Sequence, residues 1–422
     1  MPEIRTILKQ ALAPIRSRDF TVLWLGQTIS ACGDQCYDIA LIWLVTGLTG
    51  SSLLVGTLLA INYLPTILML LIGGVWADRS PRSILLWSDL LRGLLVFLLA
   101  LAVTLGWVSL PLVICASFIF GLVMAFAGPS LLVLWNMLVA PEDYYAVTSL
   151  RQLSQQLALL FGPALGGFLI ARWSVPVALL FDAATFVIAV CSTLLLRAQR
   201  KPQPSRGGAV SSSPRTFFAE LTTGLRFLWR EKGILIVVLL IALTNALNNV
   251  TGVLVPLLVR YVLHASAAQY GLMAACAGIG TAVGTVAMSL VGKHLRSIAT
   301  VICGWLVIMG GAITLMGTAT TVWLLYIAQM LLGLAFIVVE IVATAHCLQM
   351  IPEDQRGKVF STIVAIAMGL NPLGSLLGGG LGNLVGLRAG LWASGGTIVL
   401  LSVLAFLFPP VRALNRPRDA GY

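Results

Sequence analysis

A few ionisable side chains interrupt the apolar runs of this sequence, and they are the residues with chemistry to offer. Asp34 and Asp38 lie in the first run, Asp89 and Arg92 in the third, Asp182 in the sixth and Glu340 in the tenth. An ionisable group inside a bilayer costs at least roughly 2.5–3.5 kcal/mol on insertion scales, so each is a functional candidate. Asp34 and Asp38 are four residues apart and share one helical face. Two close carboxylates in a poorly hydrated site repel each other, so such a pair can hold one proton near neutral pH. That suits proton exchange, and a proton entering with the membrane potential releases roughly 2.3 kcal/mol per 100 mV. Plainer roles stand beside this one. Asp34 can hydrogen-bond a neighbouring helix, and Asp38 can sit near outer water. Asp182, near the outer end of its run, reads as structural. Asp89 and Arg92, three apart, read as an ion pair. His346 reads as a packing residue near the inner end of the tenth run, although histidine can titrate near neutral pH.

The elements that must position these groups are membrane spans. Of 422 residues, 59% are hydrophobic and only 10% are charged, against about 25% charged in a soluble domain. So little charge cannot cover so much apolar surface in water. A spanning helix needs roughly 20 apolar residues. Apolar runs fall at 19–48, 52–77, 84–106, 109–136, 147–172, 175–197, 234–263, 268–292, 298–318, 321–349, 358–386 and 388–409. The expected fold is all-α and polytopic, with about twelve transmembrane helices.

Charge sets the orientation. One set of loops holds the basic N-terminus, Arg79/Arg82, Arg151, the stretch 197–232, Lys293/Arg296, Arg356/Lys358 and Arg412/Arg416/Arg418. The other holds only Arg172, Arg260 and Arg388. The positive-inside rule then predicts cytoplasmic termini and a cytoplasmic central loop. The net charge of +11 is thereby a membrane-orientation signal rather than a nucleic-acid footprint. The N-terminal segment, with Ile4, Ile7, Leu8, Leu12 and Ile15 at helical spacing among basic residues, predicts a helix on the inner surface. Residues 198–216, rich in Pro, Ser, Gly and Arg, read as a flexible linker, and Phe217 to Leu228 as a second interfacial helix.

Pro141-Glu142-Asp143 recurs half a chain later as Pro352-Glu353-Asp354. Each precedes a run broken by Pro and a Gly cluster: Gly162-Pro163 with Gly166-Gly167, and Asn371-Pro372 with Gly378-Gly379-Gly380. The expected organisation is two six-helix halves: 1–197 with its amphipathic N-terminal segment, a cytoplasmic linker at 198–233, and 234–422. Repeats of this kind place a substrate site at their interface near the midplane.

The segment Gly73-Gly74-Val75-Trp76-Ala77-Asp78-Arg79-Ser80-Pro81-Arg82 resembles the signature loop of the major facilitator superfamily. Gly162-Pro163 and Gly166-Gly167 resemble the helix-five motif of its exporters. Gly26-Gln27, Gly33-Asp34 and Asp182-Ala183-Ala184-Thr185-Phe186 are similar to the branch of macrolide efflux proteins and the enterobactin exporter. Pro81 and Ser83 depart from the usual signature residues, and the fourth run lacks the basic residue of many proton-coupled drug exporters. The resemblance implies that helices one, four, seven and ten line a central cavity, which brings in Asp34, Asp38 and Glu340 with Asn245, Asn248 and Asn249. It also implies a cytoplasmic gate loop comprising Gly74, Asp78, Arg79 and Arg82, with Asp89 and Arg92 beside it.

The implied function is secondary active export of drug- or siderophore-like small molecules by alternating access, with protons as the coupling ion. A lysophospholipid or lipid flippase of the same fold and a transport-inactive sensor or scaffold are the rivals. Neither Gly292-Lys293-His294 nor Gly357-Lys358-Val359 fits the phosphate-binding pattern G-x-x-x-x-G-K-S/T. The three histidines form no H-E-x-x-H, and G-x-S-x-G is absent. No enzyme activity, metal, cofactor or nucleic acid is expected. The seven cysteines sit in apolar runs and read as small packing residues. The expected partners are a small-molecule substrate, protons and lipids, for a monomer in the plasma (inner) membrane. Cavity acids are compatible with a cationic substrate, although protons alone explain them.

Overall fold

In a computed structural model, residues 13–70, 80–197, 214–292, 297–351, 355–409 and 411 are described. They are helical almost throughout. A short 3-10 turn, Ala13–Arg16, leads into α1 (Arg18–Thr49) and α2 (Ser52–Leu70). Then follow α3 (Pro81–Thr104), α4 (Leu110–Met137), α5 (Tyr144–Arg172) and α6 (Val175–Leu194). After the linker come α7 (Pro214–Arg230), α8 (Lys232–Leu257), α9 (Ala267–Val291), α10 (Ile298–Thr318) and α11 (Val322–Met350). The chain ends in α12 (Arg356–Gly369), α13 (Asn371–Leu384) and α14 (Leu387–Leu407).

Ten helical segments among the described residues are long and apolar enough to cross a membrane, with α12 and α13 counted as one from Val359 to Leu384. The 32-residue α1 and the 19-residue α2 precede them. The eleventh apolar run is broken at Leu370. Pro372 lacks the N–H that would continue the ladder, so the helix restarts at Asn371. The amphipathic stretch before the seventh run forms α7. There Leu228 is fully buried against Ile234, Val238, Cys347, Ile351 and Val359, while Trp229 is exposed.

The chain divides into two compact units, one of residues 1–45 with 64–214 and the other of 46–63 with 215–422. Residues 52–63 of α2 therefore belong to the unit containing α8–α14. In the first unit, Phe20, Leu85, Trp135, Leu150 and Leu196 form a core drawn from α1, α3, α4, α5 and the end of α6. Side chains close two of the helix ends. Ser266 and Gln269 make a capping box at the start of α9. Arg388 Nη2 donates to the Ala319 carbonyl at the end of α10 over 3.0 Å.

Candidate functional site

The first unit contains a buried polar network where α1, α3, α4 and α6 meet. Asp89 is fully buried and accepts from Arg92 Nη2 at 2.6 Å and from Gln27 Nε2 at 2.9 Å. Arg92 reaches on to Asp34 Oδ2 at 3.5 Å and to Met124 Sδ at 3.2 Å. Its guanidinium lies 4.6 Å from the Phe186 ring centroid and 5.8 Å from that of Phe120. Phe120 in turn stacks on Tyr37 at 4.5 Å. Charge-assisted N–H···O contacts run to about 2.7–2.9 Å, so Asp89 is the firm partner of Arg92. Asp34 is held loosely, and its side chain keeps 21% of its accessible surface. Of the two acids, Asp34 is the one free to exchange its partner.

A cavity of about 200 Å³ opens beside this network within the same unit. Its polar walls include Gln27, Ser30, Asp34, Arg92, Arg151 and Gln155. Met124, Leu131 and Trp135 supply apolar surface. In the sequence Arg151 counts only as an inner loop charge. In the structure it lies within α5, two turns from the start of that helix at Tyr144, and lines this cavity.

Close packing of α5 on α1 fixes one wall. Cys36 Sγ donates to the Gly162 carbonyl at 3.1 Å, and Thr28 Oγ1 meets Ser154 Oγ at 2.7 Å. A Cβ at Gly166 would lie 2.9 Å from Cys36 Cα, and one at Gly162 would lie 2.7 Å from the Cys32 carbonyl. Both glycines thus serve a seam inside one unit. Pro163 and Gly167 are buried in the same helix. Asp182, fully buried, accepts from Thr185 Oγ1 at 3.3 Å. Gly33 gives room to this acid, since a Cβ there would overlap Thr185 and Asp182.

Asp38 sits one turn beyond Asp34 and is exposed. In the second unit, Tyr63 donates to Asn249 Oδ1 at 3.2 Å, and Asn249 Nδ2 donates to the Asn245 carbonyl at 2.9 Å. Asn245 Nδ2 reaches the Ala367 carbonyl, near the α12–α13 break, at 3.3 Å. Asn248 Oδ1 is buried without a partner among the described residues. Glu340 is exposed on α11. Arg82 donates to the Leu194 carbonyl at the end of α6 over 3.0 Å. Gly74, Asp78 and Arg79 lie outside the described residues, as does the repeat Pro352–Asp354.

These features define a polytopic helical membrane protein whose first unit holds a buried acid–guanidinium network. The sequence profile of the transmembrane secretion effector family matches residues 9–419, and the chain belongs to that family of major facilitator transporters. It is a transporter family and not an enzyme family. Among curated relatives, macrolide efflux protein A of Streptococcus pyogenes is 22% identical over 402 residues, covering 94% of this chain and 97% of that protein. The multidrug efflux pump Tap of Mycolicibacterium fortuitum is 24% identical over 403 residues, covering 93% and 96%. Two solved structures share the fold. The nucleoside transporter NupG superposes with a TM-score of 0.77 at 13% identity, covering 93% of this chain and all of that one. A bacterial homologue of the human lysosomal transporter Spinster, inward-facing and unoccupied, gives 0.74 at 13%, covering 96% and 99%.

Proposed function

We propose that the chain is a twelve-span secondary exporter of small molecules that works by alternating access and proton antiport. Its working parts are two six-helix halves, 1–197 and 234–422, joined by the linker 198–233. Export follows the curated relatives, whose names describe macrolide and multidrug efflux. The observation that carries the coupling is the position of Asp34. It is a carboxylate at a cavity wall, loosely paired with Arg92 at 3.5 Å, while Asp89 holds Arg92 firmly at 2.6 Å. A proton arriving on Asp34 ends its attraction to Arg92 without leaving Arg92 unpaired. The acid can therefore load and unload at small cost to the fold. Asp38 and Glu340, both exposed, join it as coupling or substrate groups. Asn245, Asn248 and Asn249 supply polar contacts in the second unit. The loop with Gly74, Asp78, Arg79 and Arg82 acts as the cytoplasmic gate, backed by Asp89 and Arg92.

The test is flux in liposomes carrying an internal pH dye. A proton gradient is imposed and macrolides, tetracyclines, cationic dyes or catecholate siderophores are added. Substrate-dependent proton movement is expected in the wild type and lost in Asp34→Asn or Glu340→Gln. Substrate movement without proton movement, unchanged in both variants, overturns the coupling and leaves a uniporter or a flippase.

A further inference from the structure

The cavity of the first unit has unmet hydrogen-bonding capacity of one dominant kind. Buried atoms without a partner among the described residues include Arg92 Nε, Arg151 Nε, Trp135 Nε1, Ser30 Oγ and Asp34 Oδ1, and all five belong to residues lining this one cavity. Three are N–H donors, the fourth is a hydroxyl that can donate or accept, and Asp34 contributes the one atom that, ionised, only accepts. Buried indole N–H groups ordinarily find an acceptor, as Trp24 does on the Leu150 carbonyl at 3.2 Å. Trp135, 4% exposed, does not. An unsatisfied buried donor is costly and calls for an occupant.

Charge points the same way. Arg92 is shared between Asp89 and Asp34. No carboxylate pairs with Arg151 among the described residues, and its guanidinium shares the cavity with that of Arg92. A basic, donor-rich wall beside the apolar side chains of Met124 and Leu131 suits an anionic oxygen-bearing group attached to an apolar body. Size narrows the occupant. The cavity, at about 200 Å³, is smaller than the roughly 300–1,000 Å³ of drug-sized pockets. It takes a small organic anion, or the anionic end of a larger molecule.

The geometry points to a binding site in the first unit for a carboxylate, sulfonate or phosphate group, held by Arg151, Trp135 and Arg92 in competition with Asp34. This inference deepens the exporter reading and takes its physiological sense from it, but binding and flux are separable. Competition gives the site a signature that simple packing lacks. Removing Arg151 weakens the anion, whereas neutralising Asp34 strengthens it.

The experiment uses the full chain in nanodiscs and para-fluorobenzenesulfonate as the probe, read by fluorine NMR line broadening. Benzyltrimethylammonium is the cationic control of similar size. Saturable binding of the sulfonate and none of the ammonium is expected. Arg151→Gln should bind about tenfold more weakly, Arg151→Lys should retain part of the affinity, and Asp34→Asn should bind more tightly than wild type. Equal affinity in Arg151→Gln of normal elution profile, preference for the cation, or weaker binding in Asp34→Asn each overturns the site. Failure of these binding outcomes beside proton-coupled flux of another substrate sinks this inference and leaves the exporter reading standing. Sulfonate binding with no flux of any substrate does the reverse.

Discussion

Arg92 holds the first unit's polar network together, and its burial decides what its removal costs. Asp89 is fully buried, so deleting Arg92 strands an uncompensated charge in an apolar setting. Arg92→Gln is expected to destabilise by about 3–5 kcal/mol. In Asp89→Asn/Arg92→Gln no such charge remains. The double variant should therefore melt above the single one in a detergent thermal-unfolding assay. A double variant no more stable than Arg92→Gln would mean that the arginine acts through packing on Phe186 and Phe120 rather than through charge. Part of this network is legible in the sequence. Asp89 and Arg92 stand three apart on one helix, and an arginine in an apolar run must find an acid. The reach of Arg92 to Asp34, and the entry of Arg151 and Gln27 into the same site, depend on helices far apart in sequence. No spacing rule links them. The cost of burying an unpaired guanidinium was the available signal, and it names the need for a partner without naming the partner.

At the scale of elements, local chemistry carries most of the information. Apolar runs, proline positions and glycine clusters give the helices and the break before Asn371. What they do not give is the neighbour each glycine face meets. Gly162 and Gly166 meet α1 inside one unit, whereas Gly379 approaches Leu53, where Ser52 Oγ donates to its carbonyl at 2.9 Å. In the second unit Gly374 and Gly378 meet α8, the first long helix of that half, with Cβ positions 2.7 Å from Ala246 Cα and 3.0 Å from Val250 Cα, so the seam recurs in both repeats while Gly379 turns to another helix. The α1–α5 seam is tight enough to test. With Cys36 Cα only 2.9 Å from a Cβ at Gly166, Gly166→Val must push backbone rather than a flexible side-chain tip. It is expected to cost about 1–3 kcal/mol and to lower the thermal midpoint in detergent. Gly311, with nothing within 4 Å of its Cβ position, is the control, and Gly311→Ala should leave the midpoint in place. Equal effects at the two positions would remove the case for close packing at the seam.

For the whole molecule the solvent is the bilayer, and the surface says so. Leu290, Leu384, Trp323 and Trp107 are 71%, 83%, 75% and 73% exposed, which only lipid or an interface makes favourable. Which end of each helix faces which side is an expectation drawn from charge. Arg172, Arg260 and Arg388 are the few cations of the sparse loop set, and each is engaged close to home. Arg172 lies 5.4 Å over the Trp173 ring, Arg260 lies 5.9 Å over Tyr261, and Arg388 binds the end of α10. Cations so engaged serve local structure, whereas the richer set, including Arg79, Lys293, Arg356 and Arg418, flanks the apolar runs at the ends for which the positive-inside rule predicts the cytoplasm. That rule predicts cytoplasmic termini, with His264, in the turn after α8, on the opposite side. Green fluorescent protein fused after Tyr422 should fluoresce, because it matures inside the cell. Alkaline phosphatase fused to a chain truncated after His264 should be active, because it needs the outer compartment. A dark terminal fusion together with an inactive phosphatase at His264 would invert the orientation. It would then place the acids of α1 against the opposite proton reservoir, so the imposed gradient in the flux assay would have to be reversed before Asp34→Asn could report on coupling.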